Sequence, residues 1–400
     1  MPSPRTVWAA VLLAASLALA GGTPAAAQQA AAVPKRYQAL YSELDAALTR
    51  FEQRLPQPIA ATLLREAVLT AARCAGSEEM LQTTRREALA LELTALRNVG
   101  ADAAVLEVCY PLLTPAFHDA RPYLEHYANL ANEVRLHGLK LVVRHTLLPA
   151  TPARPGLQRY WARLTRPRFV TEYLEEARSI LYALQPEYLT FQADRGAQPA
   201  GNRFQPQDWS RMLRSTAERL RSDAGAMDTL FGAGLAPEAD AALLDALARV
   251  PGLDYLDIQV YPAWWAGQDT FERLLEWPAR IRAADPARRV ILSETWLRKL
   301  GRNEPGKPPP DDQLQAREVF AFWAPLDRRY LELLGRVARS QAIELVGIAR
   351  PHQLFTYLDF YDPMVFRLNN RALVELLARD FAAAVRTQPP TPVGRAFGAM

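Results

Sequence analysis

Half of the 400 residues are apolar and 22% are charged, a balance that excludes wholesale disorder and supports a substantial core. The formal charge of +4 is spread over many arginines without a dense basic block, so the chain carries no electrostatic footprint for nucleic acid.

In chain order, MPSPRTVWAAVLLAASLALAGGTPAAAQQ places Arg5 before an apolar run from Val7 to Ala20, and small residues end in Ala25-Ala26-Ala27. That layout predicts a secretory signal peptide over residues 1–27, and hence a periplasmic or secreted protein. The run is too short for a good membrane span, although an uncleaved anchor is the other reading it allows. No later segment offers about 18 uncharged apolar residues, so no stable membrane insertion is expected after cleavage.

Residues 28–57 form an N-terminal segment in which RYQALYSELDAALTRFEQRL repeats its apolar positions at helical spacing, predicting a leading helix. Beyond it, short β-prone apolar runs alternate with longer segments of helical period. The expected strands are EAVLTAA near Glu66, then runs ending at Tyr110, His145, Asp194, Gly234, Tyr261, Glu294 and Arg350. Eight such repeats predict an α/β fold, a single (β/α)8 TIM barrel over 58–385, followed by a flexible Pro-rich tail over 386–400. A doubly wound open sheet is the alternative, and it normally shows a Gly-rich phosphate fingerprint after its first strand, which this chain lacks.

In a barrel of this kind the active site is built at the C-terminal ends of the strands. Strand 3 ends in Arg144-His145, strand 4 in Gln192-Ala193-Asp194-Arg195, strand 6 in Gln259-Val260-Tyr261 followed by Trp264-Trp265, and strand 7 in Glu294-Thr295-Trp296. Asp194 and Glu294 stand on roughly opposite sides of the mouth. Such a pair divides acid and nucleophile work across a glycosidic bond, with retention at about 5 to 5.5 Å between the carboxyls and inversion at about 6.5 to 9.5 Å.

VILSETW and LDYLDIQVYP resemble strands 7 and 6 of the large clan of (β/α)8 glycoside hydrolases that carry catalytic carboxylates after strands 4 and 7. The resemblance implies a retaining hydrolase acting on a polysaccharide or oligosaccharide, with Glu294 as nucleophile and Asp194 as acid/base. It also implies Gln259 or Tyr261 where members place a His or Tyr facing the sugar. The chain departs from the clan on strand 4, where Ala193-Asp194 replaces the usual Asn-Glu, and on strand 8, where RPHQLF stands without the usual tryptophan. The departure on strand 4 leaves three readings: a wider carboxylate pair, a contribution from another acid such as Asp257, or a barrel that binds sugar without cleaving it. The last would be a non-catalytic glycan-binding protein in envelope polysaccharide assembly or export. A barrel enzyme of unrelated chemistry is a further alternative, because fold does not fix function.

The other candidate sugar contacts are His145, as a donor in the cleft or a satisfied core histidine, and the aromatic faces of Trp264, Trp265 and Trp296. Along strand 6, Tyr255, Asp257, Gln259 and Tyr261 share one face and are expected inside the barrel. No second His or Cys lies at ligand spacing from His145, so no metal is expected, and no cofactor. Cys74 and Cys109 fall near the tips of neighbouring strands about 4.8 Å apart, close enough for a disulfide in an oxidising compartment. The oligomeric state is not set by these features.

Overall fold

The computed structural model describes residues 32–57, 62–73, 81, 86–117, 119–148, 155–193, 204–223, 228–262, 264–265, 268–302, 304 and 311–400. The expected signal peptide lies outside them. The strands are β1 (Leu64–Val68), β2 (Ala103–Tyr110), β3 (Lys140–Leu147), β4 (Tyr188–Ala193), β5 (Leu230–Leu235), β6 (Tyr255–Val260), β7 (Arg289–Thr295) and β8 (Leu345–Ile348). Each pairs in parallel with its neighbours in chain order, and β8 returns to β1, so the sheet is a closed barrel and not an open one.

Period-two alternation sorts each strand between two cores. Leu141 and Val143 of β3, and Leu256, Ile258 and Val260 of β6, join the large cluster beneath the helices. Val142, Tyr188, Tyr255, Ile291 and Leu345 form a smaller cluster inside the barrel. Two residues further along those strands the interior becomes polar: Arg144, Thr190, Asp257 and Ser293 are all buried. This layer is crowded. A Cβ on Gly232 would stand 2.0 Å from the Tyr255 ring, so only glycine leaves room for that tyrosine, whose hydroxyl pairs with Thr190 Oγ1 at 2.8 Å.

The leading helix, Gln38–Gln53, buries Leu44, Ala47, Leu48 and Phe51 against the barrel's outer layer, as its apolar spacing requires. The chain end differs from the sequence expectation. Residues 386–400 are not a flexible tail: the helix Asn370–Thr387 runs into them, and a second helix, Pro392–Ala399, follows. Thr391 caps that helix, its hydroxyl accepting from the Gly394 amide at 3.1 Å, and Pro392 fills the first turn where no amide hydrogen is needed. Val393 and Phe397, one turn apart, are fully buried, and Arg65 at the start of β1 donates to the Gly398 carbonyl. Among the described residues, no helix is long and apolar enough to cross a membrane.

Candidate active site

β7 does not alternate to its end. Asp257 of β6 pairs with Ile291 and Gln259 with Glu294, so three steps along β7 answer two along β6. The same surplus appears against β8, where Val346 pairs with Leu292 and Ile348 with Thr295. This is a β-bulge, which re-aims the side chains beyond it. Leu292 faces the helices, but Ser293 and Glu294 both turn inward, and Thr295 turns out again to Tyr330 of the helix Ala324–Ser340. In a straight strand Glu294 would face outward. Gly347 makes the bulge possible, since a Cβ there would stand 2.2 Å from the Ser293 carbonyl oxygen.

The inward turn sets the Glu294 carboxyl at the barrel mouth with its side chain 14% exposed. One oxygen accepts from an Arg144 guanidinium nitrogen and the other from the Tyr261 hydroxyl. The second terminal nitrogen of Arg144 donates to Glu107 Oε1 of β2 at 2.6 Å, so one buried guanidinium joins two carboxylates. Burial alone would push the Glu294 carboxyl up, but Arg144, Arg73 and the Tyr261 hydrogen bond outweigh it and hold it down at about 2. Burial likewise opposes the charge on Arg144, and Glu294 and Glu107 overcome it. Glu294 is therefore an ionised carboxylate, oriented from two sides, with edge access to the mouth.

Two further acids lie beneath it. Asp257 is fully buried and accepts from the Ser293 amide at 2.9 Å and its hydroxyl at 2.5 Å; burial pushes it up to about 6 despite these bonds. Its complete burial corrects the idea that it serves as an alternative acid toward substrate. Glu66 is also fully buried, and neither oxygen has a hydrogen-bond partner among the described residues. Burial, reinforced by Asp257, raises it well above the usual carboxylate range.

The remaining predicted positions divide. Gln259 lies inside the barrel near the tips and donates through Nε2 to Gln192 Oε1 at 3.1 Å, while Tyr261 touches Glu294 directly. His145 is corrected: it alternates with Arg144, faces the helices, stacks on Tyr173 at 4.1 Å and pairs with Glu176 at 3.0 Å, so it is a core residue. Trp296 is corrected as well. It follows the outward-facing Thr295 and is 1% exposed, with the buried Lys299 ammonium 5.7 Å from its ring, so it offers no open face to a sugar. The backbone of Trp264–Trp265 pairs with Gln268–Asp269 in a short antiparallel ribbon after β6. Asp194 and Cys74 lie outside the described residues; Cys109 is disulfide-bonded.

Sequence reading missed Glu107, and it gave Arg144 and Arg73 no role. Alternation in AAVLEVCY and KLVVRHTL places Glu107 and Arg144 inside, a signal available without coordinates. Thr70, Arg73, Glu107, Arg350 and His352 line a cavity of about 240 Å³ at the tips of β8, β1 and β2. Another cavity, of about 310 Å³, is lined by helix residues such as Leu89 and His126 and by none of the strand tips. No three-membered His, Cys, Asp or Glu group suited to a metal ion occurs among the described residues.

No protein-family model matches the chain, and no curated protein matches it in sequence. Among solved structures, it is similar to a GH5_18 from Bifidobacterium longum subsp. infantis, with TM-score 0.52 and 14% identity over 85% of this chain and 78% of that one. A GH5_18 variant from Bifidobacterium longum subsp. longum ATCC 55813, in complex with Manβ1-4GlcNAc, gives TM-score 0.51 and 13% identity over 85% and 77%. The chain also spans 61% of the length of an exo-beta-1,4-mannosidase from Opitutaceae bacterium strain TAV5, with 15% identity, TM-score 0.49 and 84% of this chain covered. What the chain shares with these structures is the fold, a closed (β/α)8 barrel.

Proposed function

We propose that the protein is an exported glycosidase acting on a polysaccharide or oligosaccharide, with Glu294 as the nucleophile of a retaining mechanism. The observation that carries this reading is an ionised carboxylate aimed into the mouth by a bulge in the seventh strand and held by Arg144 and Tyr261. A nucleophile must be unprotonated at working pH, and a carboxylate held near 2 meets that demand. In the first step a Glu294 oxygen bonds to the anomeric carbon as the glycosidic C–O bond breaks. Asp194, in the acid/base role, gives its proton to the leaving oxygen; it then takes a proton from the water that cleaves the glycosyl ester and frees Glu294. Tyr261 and Arg144 orient the attacking oxygen and balance its charge between the two steps. The signal-like leader supports action outside the cytoplasm.

The test is hydrolysis of an oligosaccharide panel, read as new reducing ends. Glu294→Gln should fold and lose at least about a thousandfold in rate, on the scale of removing an essential nucleophile. Full activity in that variant would sink the assignment. The second reading, a glycan-binding barrel in envelope polysaccharide assembly or export, is favoured by the absence of a carboxylate from the described part of β4, which ends in Gln192-Ala193. Binding by the wild type without any product would decide for it.

A further inference from the structure

Arginine is concentrated where the chemistry is placed. Arg144 holds Glu294 and Glu107, and the positive charge of Arg73 reaches Glu294. Arg298 lies 4.2 Å from the centre of the Tyr261 ring, and Arg350 acts on the same tyrosine. The anions present do not match them one for one. Arg144 is committed to its two carboxylates, and Arg350 pairs with Glu318 at 3.0 Å. Arg298 forms no ion pair among the described residues, and its buried Nε has no hydrogen-bond partner there. Arg73 also forms none, although it donates one hydrogen bond to the Ala349 carbonyl, and it projects along the wall of the cavity that Arg350 shares.

A half-buried guanidinium without a counter-ion is costly, and its planar fork matches a carboxylate better than it matches a neutral hydroxyl. The neighbouring wall supplies no direct ion pair. Glu107 is already bound to Arg144 at 2.6 Å, and Glu92, whose carboxyl is pushed up by burial and drawn back by Thr70 and Arg73, is taken up by the Thr70 hydroxyl and amide at 2.9 and 3.0 Å and forms no ion pair with Arg73. His352, held down at about 4 by burial and the two arginines, is a neutral partner for Thr70 at 3.1 Å and adds no competing cation. The cavity volume, about 240 Å³, falls below the roughly 300 Å³ at which drug-sized pockets begin, the scale of one sugar unit.

We propose that the cavity at the tips of β8 and β1 is a subsite for a uronic-acid unit, its carboxylate held by Arg73 and Arg350, so that the glycan bound is acidic. This rests on the reading of the mouth as a glycan site and adds the class of glycan. Arg73, whose charge helps keep Glu294 ionised, then also selects the polymer: a uronate carboxylate meets a guanidinium that forms no ion pair among the described residues, with Arg350 beside it.

The test separates binding from cleavage. Glu294→Gln is titrated calorimetrically with oligosaccharides of polymannuronate, polyglucuronate and polygalacturonate, and with neutral β-mannan and β-galactan oligosaccharides of equal length. At least one uronate series should bind and weaken as salt is raised, and Arg73→Gln on that background should lose at least about tenfold in affinity. Arg73→Lys, which keeps the charge but not the fork, should fall between them; circular dichroism should show all three folded. Uronate binding with no cleavage by the wild type supports this subsite while removing the hydrolase reading. Binding of neutral glycans alone, no binding of any uronate, or uronate affinity unmoved by Arg73→Gln overturns it, whether or not the wild type hydrolyses.

Discussion

Arg144 is a buried cation shared by two carboxylates at the barrel mouth. At 2% exposure it is out of water, and its charge is acceptable because Glu107 and Glu294 meet it from two strands. Arg144→Met leaves both carboxylates without the cation that bridges them, which should cost roughly 3–5 kcal/mol in denaturant unfolding. Adding Glu294→Gln should recover part of that loss, giving a coupling of about 1–3 kcal/mol in the double-mutant cycle. Additive losses would show that the contact is not the source. Glu66 gives a test of opposite kind. Its folded pKa lies above its unfolded one, so its contribution to stability is full below the ordinary value and declines as pH rises, because only the unfolded chain ionises freely. Glu66→Gln should therefore melt higher than the wild type at pH 8 and alike at pH 4; a pH-independent difference would contradict this. At this scale the sequence was legible where alternation was applied, as at Tyr255, Asp257 and Gln259. It was misread where a strand tip was treated as a unit: Arg144 and His145 are adjacent in sequence and face opposite sides of the sheet. Trp296 was misread because nothing local announces that a loop tryptophan will fold under its own strand.

Among elements, β7 alone sets the chemistry apart from the scaffold. Parallel barrel strands read as apolar runs, and all eight were visible as such, because burial on both faces demands it. The bulge was not visible, since VILSET reads as a regular strand and the extra residue is forced only by the pairing with β6 and β8 together. Glycine at 347 was the available hint: an unbranched backbone in the middle of β8 marks a close approach. Gly347→Ala pushes a methyl group into the Ser293 carbonyl and to within 2.4 Å of Glu66 Oε1. It should cost roughly 1–3 kcal/mol by overpacking, and should lower turnover more than affinity because the displaced bulge carries Glu294. A destabilised variant with unchanged turnover would show that the bulge does not position the acid.

At the scale of the whole molecule, the helix Pro392–Ala399 is packed into the fold. Composition gave residues 386–400 the look of a loose end, yet Thr391-Pro392 is a cap followed by a first-turn proline, and Val393 and Phe397 form a single apolar stripe. Those signals are short and were outweighed by the prolines around them. Phe397→Ala removes a fully buried ring at the end of the barrel opposite the mouth and should cost roughly 3–5 kcal/mol by thermal or denaturant unfolding. Hydrolysis per folded molecule should not change, and a selective loss of turnover would link the two ends of the barrel. The surplus residue in β7 also has a meaning for descent. In most barrel strands, losing one codon reverses every side chain beyond the gap. Here Ser293 is the residue in excess, so its loss would straighten the strand and still leave Glu294 opposite Gln259, while Asp257 beneath would forfeit its hydroxyl donor. The placement of the acid at the mouth and the bonding of the acid below it are thus separable by the loss of a single codon.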